Sequence, residues 1–296
     1  MKHLCLWVVL ICFVKISALA QPKQNICDLR QKISTELQKH TGTYAVAFKD
    51  LATGESLLIN ESESFHAAST MKTPVMVEVF KQAAEGKFAL TDSIIIKNEF
   101  KSIVDGSLYS LDSIQDSDHL LYRKIGQKRA IKDLVYEMII VSSNFATNII
   151  IDLVGAENVS KTMKELGAKD IQILRGVEDA KAYQKGLNNT TTANDLRILF
   201  EGIAAGKIVD QKSCDAMIKI LLDQKFNDVI PGKLPKEVKV AHKTGSISKV
   251  YHDSGIIFLP DGKKYVLVLL SKGWDEEKTT KNMLAEISEM IYLHLK

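Results

Sequence analysis

The spacing of apolar positions changes period several times along the chain, and each change marks an element. Apolar residues recur at helical spacing at the start, which predicts a helix over Ile26–Gln38. Thr43–Lys49 then alternates, Asp50–Glu55 is rich in turn formers and Ser56–Ile59 resumes strand character, so a β-hairpin follows. From Ser69 the pattern is helical through Met71, Val75, Met76, Val79 and Phe80 to a stop near Gly86. Pro74 falls at or just past the first turn, where a missing N–H does least harm. Helical periodicity also marks Ile131–Val141, Phe145–Val154, Val159–Leu166 and Ala193–Ile203. Two stretches, Phe100–Gln127 and Leu174–Asn189, carry no regular pattern, and loops this long inside a compact domain are often functional. Strand signals return in Val238–Lys243, Gly255–Leu259 and Lys264–Leu270, with Pro260-Asp261-Gly262 as a turn, before an amphipathic helix at Lys278–Leu295. Early strands, a helical insertion and late strands predict an α+β fold. Both chain ends complete one antiparallel sheet packed with helices, and the middle region is mostly helical.

The first residues stand apart from this domain. Residues 1–20 open with Met1-Lys2, run through the apolar stretch Leu4–Val14 and end in Ala18-Leu19-Ala20, the pattern of a cleavable secretory signal. The apolar core is short for a membrane span and is interrupted by Lys15; an uncleaved N-terminal anchor is the alternative. The expected division is therefore a signal over 1–20 and one catalytic domain over 21–296, secreted or periplasmic, with no membrane attachment after cleavage.

Composition narrows the partners. The 296 residues are 46% hydrophobic and 25% charged, enough for a core that needs neither disulfides nor a metal. The formal charge of +3 loses Lys2 and Lys15 with the signal, leaving a nearly neutral chain without a basic footprint for nucleic acid or anionic lipid. Cys5 and Cys12 leave with the same segment. Cys27 and Cys214 then remain, able to pair in an exported protein or to stay separate, and neither has the Cys/His company a zinc site needs.

Three short segments carry the candidate chemistry. Ser69-Thr70-Met71-Lys72 opens a helix, and residues three apart share a helix face, so Lys72 can approach the Ser69 hydroxyl. A serine becomes nucleophilic when a base takes its proton, and a lysine with a lowered pKa can serve. Taken alone the pair is also what a solvated helix start looks like. Ser142-Ser143-Asn144 lies between two helical runs and offers a hydroxyl for proton relay and a carboxamide for an amide substrate. Lys243-Thr244-Gly245 ends a late strand, where a cation and a hydroxyl can hold a carboxylate while the glycine admits close backbone approach.

Together these segments match the Ser-x-x-Lys, Ser-Asp-Asn and Lys-Thr-Gly signature in order, spacing and element. The chain resembles the class A serine β-lactamases, a family of penicillin-recognising serine hydrolases, over most of its length after the signal, as a divergent member. The resemblance implies Ser69 as the acylated nucleophile, Lys72 as its base or relay, and Ser142 as the proton donor to the leaving nitrogen. It implies Asn144 for the substrate's side-chain amide, and Lys243 and Thr244 for its carboxylate, with Gly245 and Ser246 lining the same edge. The backbone N–H groups of Ser69 and Ser246 would form the oxyanion hole.

The departures from that pattern are specific. Ser143 replaces the usual aspartate of the second motif, which bears on support of the loop. Family members carry a glutamate two residues after a loop arginine and an asparagine four beyond it. Here Glu178 comes three residues after Arg175, and Ala182 stands where the asparagine would fall. Glu178 is the candidate for activating the deacylating water, Asp179 the next, and a pair of solvated loop acids the bland reading. Arg175 could pin the loop by bonding to Asn189 or another of its residues. Tyr109 or Tyr122 could wall the cleft or be ordinary core or surface tyrosines. His66, His242 and His252 read as structural, and Lys249 or His252 could add positive charge for a carboxylate. The implied activity is hydrolysis of β-lactams by a monomer, without metal or cofactor. A D-alanyl-D-alanine peptidase or other slowly deacylating serine hydrolase is the alternative, and a non-catalytic penicillin sensor is less favoured.

Overall fold

The computed structural model describes residues 25–296, so the expected signal at 1–20, with Cys5 and Cys12, lies outside the described residues. The main sheet has five antiparallel strands, ordered Ser56–Ile59, Thr43–Asp50, Lys264–Lys272, Val250–Phe258 and Lys239–Ile247. The last strand of the chain pairs with the first, Ala47 standing opposite Val268. Both chain ends thus complete one sheet, as the sequence predicts.

Side chains alternate across the strands, so each face of the sheet buries its own set. Val46, Phe48, Tyr265, Leu267 and Leu269 join a cluster with Leu29 and Ile33 of the Ile26–Leu37 helix and Ile287 and Ile291 of the Glu277–His294 helix. Ala45, Ala47, Val266, Val268 and Leu270 face the other way, into the larger cluster built by the middle of the chain. The helix Lys72–Ala84 runs through that cluster and is buried nearly all round, which its run of Val75, Met76, Val77 and Val79 requires. It starts from a 3₁₀ turn, Ala68–Met71.

Asn144–Val154, Ala156–Glu165 and Ala193–Ala204 confirm the helical readings. Gln211–Leu222 is a helix the sequence reading did not include. Its buried positions Cys214, Met217 and Leu221 are spaced by three and four, and Asp210 caps its start. Cys214 is buried with its thiol on the Ile208 carbonyl, whereas Cys27 is exposed; both are free thiols. The two irregular stretches hold only short elements, Phe100–Lys101, Leu108–Tyr109, His119–Tyr122 and Ala180–Gln184, and they brace one another. Asp179 accepts hydrogen bonds from the Ser102 hydroxyl and Ile103 N, both at 2.9 Å, and the Tyr109 hydroxyl donates to the Val177 carbonyl at 3.2 Å. Among the described residues no helix is long and apolar enough to cross a membrane.

Candidate active site

Three pieces of backbone meet where the 3₁₀ turn enters the central helix. Ser69 sits on the turn, Ser142 and Ser143 precede the Asn144–Val154 helix, and the edge strand Lys239–Ile247 runs alongside. Gly245 explains how close that strand can come. A Cβ at this position would lie 3.0 Å from Thr70 N and 3.1 Å from Ser69 N, so only glycine lets the strand come this close to the backbone of Ser69 and Thr70. Ala68, Ser142 and Glu178, each next to or part of the site, adopt positive φ (45°, 59° and 62°). Left-handed backbone at non-glycine residues costs of order 1–3 kcal/mol and concentrates where side chains must be aimed.

The Lys72 amine is fully buried and donates to the Ser142 carbonyl at 2.7 Å and to Asn144 Oδ1 at 2.9 Å, with Ser142 Oγ at 3.1 Å. Its hydrogen bonds therefore run across the cleft to Ser142 and Asn144 rather than back to Ser69. Burial penalises the ammonium and lowers the pKa of Lys72 to about 7, against the opposing pull of Asp116 and Glu178. Lys243, equally buried, reaches the same Ser142 Oγ at 3.1 Å and the Thr244 carbonyl at 2.8 Å. Burial and then the charge of Lys72 push its pKa well below the ordinary lysine value. Two desolvated amines thus converge on one hydroxyl.

Glu178 reaches the same cluster from the 174–189 stretch. Asn148 grips the neighbouring residue, accepting from Val177 N at 2.6 Å and donating to the Val177 carbonyl at 3.0 Å. The left-handed turn at Glu178 then returns its carboxylate to the cleft, where Oε1 accepts from Asn144 Nδ2 at 2.8 Å. Its pKa is raised, burial of the carboxylate being the largest cause. Asp179 is used elsewhere. It is buried, caps the Ala180–Gln184 helix through Ala182 N and holds Ser102 and Ile103. Burial would raise its pKa, but these hydrogen bonds outweigh that and hold it low.

The remaining candidates fall into place around this cluster. The Arg175 guanidinium donates to the Leu187 and Gly176 carbonyls and to Asn188, while Asn189 Oδ1 accepts from Leu174 N and Arg175 N; the loop is clasped without an ion pair. Tyr109 and Tyr122 are bracing residues, bonded to Val177 and Asp116. His66 Nδ1 accepts from Ala68 N, and His242 lies between Asp253 and Asn227. His252 donates to the His66 carbonyl, and burial lowers its pKa to about 4, so it stays neutral and adds no charge for a carboxylate. Lys249 is exposed in the turn after the edge strand.

The cleft has two lobes. One, of about 490 Å³, is bounded by Ser69, His66, Glu178, Tyr183 and Ile247; the other, of about 310 Å³, by Ser69, Ser142, Thr244, Asp228 and Lys281. Tyr183, Lys281, Asn148 and Asp116 are site residues the sequence reading did not single out. Only Asn148 left a signal, four residues after Asn144 on the same helix face. Among the described residues no group of three or more His, Cys, Asp or Glu side chains could hold a metal.

Comparison with known proteins agrees with this geometry. A β-lactamase of Bacteroides uniformis is 22% identical over 285 residues, covering 91% of this chain and 92% of its own. The structure of a β-lactamase from Sphaerobacter thermophilus superposes with a TM-score of 0.77 at 25% identity, covering 91% of this chain and 97% of that one. PBP-A superposes with a TM-score of 0.80 at 28% identity, over 93% and 98%, and a mutant of it has been solved as an acyl-enzyme with penicillin G. Since the model of the beta-lactamase enzyme family matches residues 28–295, nearly the whole of the described domain, the chain belongs to that family.

Proposed function

We propose that the chain is an exported, monomeric serine β-lactamase that hydrolyses penicillins and cephalosporins through an acyl-enzyme on Ser69. The observation that carries this reading is the convergence of Lys72 and Lys243 on Ser142 Oγ beside Ser69, in a cleft where one carboxylate, Glu178, joins them through Asn144. Ser69 Oγ attacks the lactam carbonyl and its proton passes to the neutral Lys72 amine. The developing oxyanion takes hydrogen bonds from Ser69 N–H and Ser246 N–H. As the C–N bond breaks, Ser142 gives its proton to the leaving nitrogen and is reprotonated from Lys72. Lys243 and Thr244 hold the substrate carboxylate. Water then gives a proton to Glu178 and attacks the ester, and that proton returns to Ser69 Oγ as the acyl bond breaks.

A slowly deacylating D-alanyl-D-alanine peptidase is the second reading, favoured by one observation. The residue clamped by Asn148 is Val177, so water activation rests wholly on the turned-back Glu178. Mass spectrometry of the protein mixed with benzylpenicillin separates the two. A transient adduct on Ser69 with fast turnover supports the lactamase, a persistent adduct the peptidase, and no adduct removes the acyl-enzyme chemistry altogether. Export rests on residues 1–20, and N-terminal sequencing of the periplasmic protein is expected to begin at Gln21.

A further inference from the structure

We propose that Asp116 is a positioning residue for this reaction, supplying from the 100–127 segment the anion that fixes the start of the Asn144–Val154 helix against Lys72. The proposal rests on the acyl-enzyme reading above. The first N–H groups of a helix have no partner within it, and the Ser143 side chain satisfies only Ala146 N. Asp116 takes two of the others, Asn144 N on Oδ1 at 3.0 Å and Phe145 N on Oδ2 at 2.8 Å. Its own oxygens are completed by Asp118 N at 3.1 Å and the Tyr122 hydroxyl at 3.0 Å. The residue is 3% exposed, and the Tyr122 ring lies 4.5 Å from that of Phe145, so the segment is held to the helix by the carboxylate and by the ring that follows it.

This anchoring bears on chemistry because of what Asn144 does. Its Oδ1 holds Lys72 and its Nδ2 holds Glu178, so the residue whose main chain Asp116 fixes also sets the distance between the two proton-transfer groups. The usual aspartate of the second motif is absent at Ser143, and a carboxylate from a different segment takes over the support of this loop. Its charge also reaches the catalytic groups. After burial, Asp116 is the largest influence on the Lys72 pKa, and it acts to raise it; Glu178 acts the same way, while the Lys243 amine shares Ser142 Oγ from the other side.

The experiment follows acylation of Ser69 by benzylpenicillin in single turnovers against pH. In Asp116→Asn the plateau rate is expected to fall by about 10-fold, since displacements near 1 Å cost 10²-fold or less. The acid limb is expected to move down by about one pH unit, as removal of a nearby opposite charge makes Lys72 easier to deprotonate. Tyr122→Phe, which alters the same segment but leaves the charge, is expected to keep the limb in place. A limb in Asp116→Asn that stays at the wild-type pH, with or without a slower plateau, overturns the proposal and leaves Asp116 a packing residue. If Asp116→Asn does not fold, Asp116→Glu keeps the charge but displaces it. A lower plateau with an unmoved limb is then expected, and an unchanged plateau or a shifted limb overturns the proposal. Absence of any adduct in the wild type would instead remove the acyl-enzyme reading on which both rest.

Discussion

The lowered pKa of Lys72 makes a quantitative demand on acylation. An amine with the ordinary value of 10.5 is neutral in about one molecule in 3,000 at pH 7, whereas at about 7 half of the molecules hold a free base, a gain of about 10³-fold. The shift corresponds to about 5 kcal/mol of disfavour for the buried ammonium, borne by the fold. Single-turnover loss of lactam absorbance with enzyme in excess reads acylation without deacylation. The rate is expected to be flat above pH 8, half-maximal near pH 7, and about 100-fold below the plateau at pH 5. The sign for stability follows from the same shift. Between about pH 7 and 10.5 the unfolded chain keeps the proton that native Lys72 has released, so stability rises with pH across that window, relative to Lys72→Met. An acylation rate that is level from pH 5 to 8, or still climbing at pH 10, would refute Lys72 as a desolvated base.

Glu178→Gln keeps the hydrogen-bonding shape at Asn144 but removes the base, and is expected to slow deacylation by at least about 10²-fold while the Ser69 adduct accumulates, seen by mass spectrometry. Unchanged turnover would place the water base elsewhere. Gly245→Ala puts a methyl 3.0–3.1 Å from the backbone of Thr70 and Ser69, so the strand is expected to be pushed away at a cost of about 1–3 kcal/mol and acylation to drop by about 10²-fold; an unaffected rate would show that the strand need not approach Ser69. Binding of benzylpenicillin to Ser69→Ala is expected to raise the pKa of Lys243 and so draw protons from the buffer over the range where that amine titrates, because a carboxylate beside it favours the ammonium that burial and Lys72 disfavour. Calorimetry in buffers of different ionisation enthalpy measures this, and equal apparent enthalpies would contradict it.

Period and turn chemistry were enough to read the sheet and most helices, because those elements are fixed by which face meets the core. The Thr43–Asp50 and Lys264–Lys272 pairing shows this: each strand alternates between two apolar clusters, so a register slip would expose one set. The Gln211–Leu222 helix escaped because only Cys214, Met217 and Leu221 of its residues are fully buried, too thin a stripe to stand out among its polar positions. Likewise the three motifs were legible because each lies on, or directly enters, a regular element whose direction is set by packing.

The two irregular stretches behaved differently, and the reason is physical. Neither has a periodic face, so where a side chain ends depends on single hydrogen bonds made far along the chain. Asp116 and Asp118 look alike in the sequence, yet the first is buried on Asn144 and Phe145 and the second caps the short His119–Tyr122 helix. Glu178 and Asp179 are adjacent acids, and a positive φ at one with a helix-capping role for the other sends them to opposite duties. For the second pair the decision is made by the other irregular stretch. Asp179 finds Ser102 and Ile103 there, and Val177 is held between Tyr109 and Asn148, which leaves Glu178 as the carboxylate free to turn toward Asn144. The rim of the cleft is therefore one mutually braced unit. Replacing either stretch alone is expected to misplace the Glu178 carboxylate and the second motif together, even with every motif residue intact.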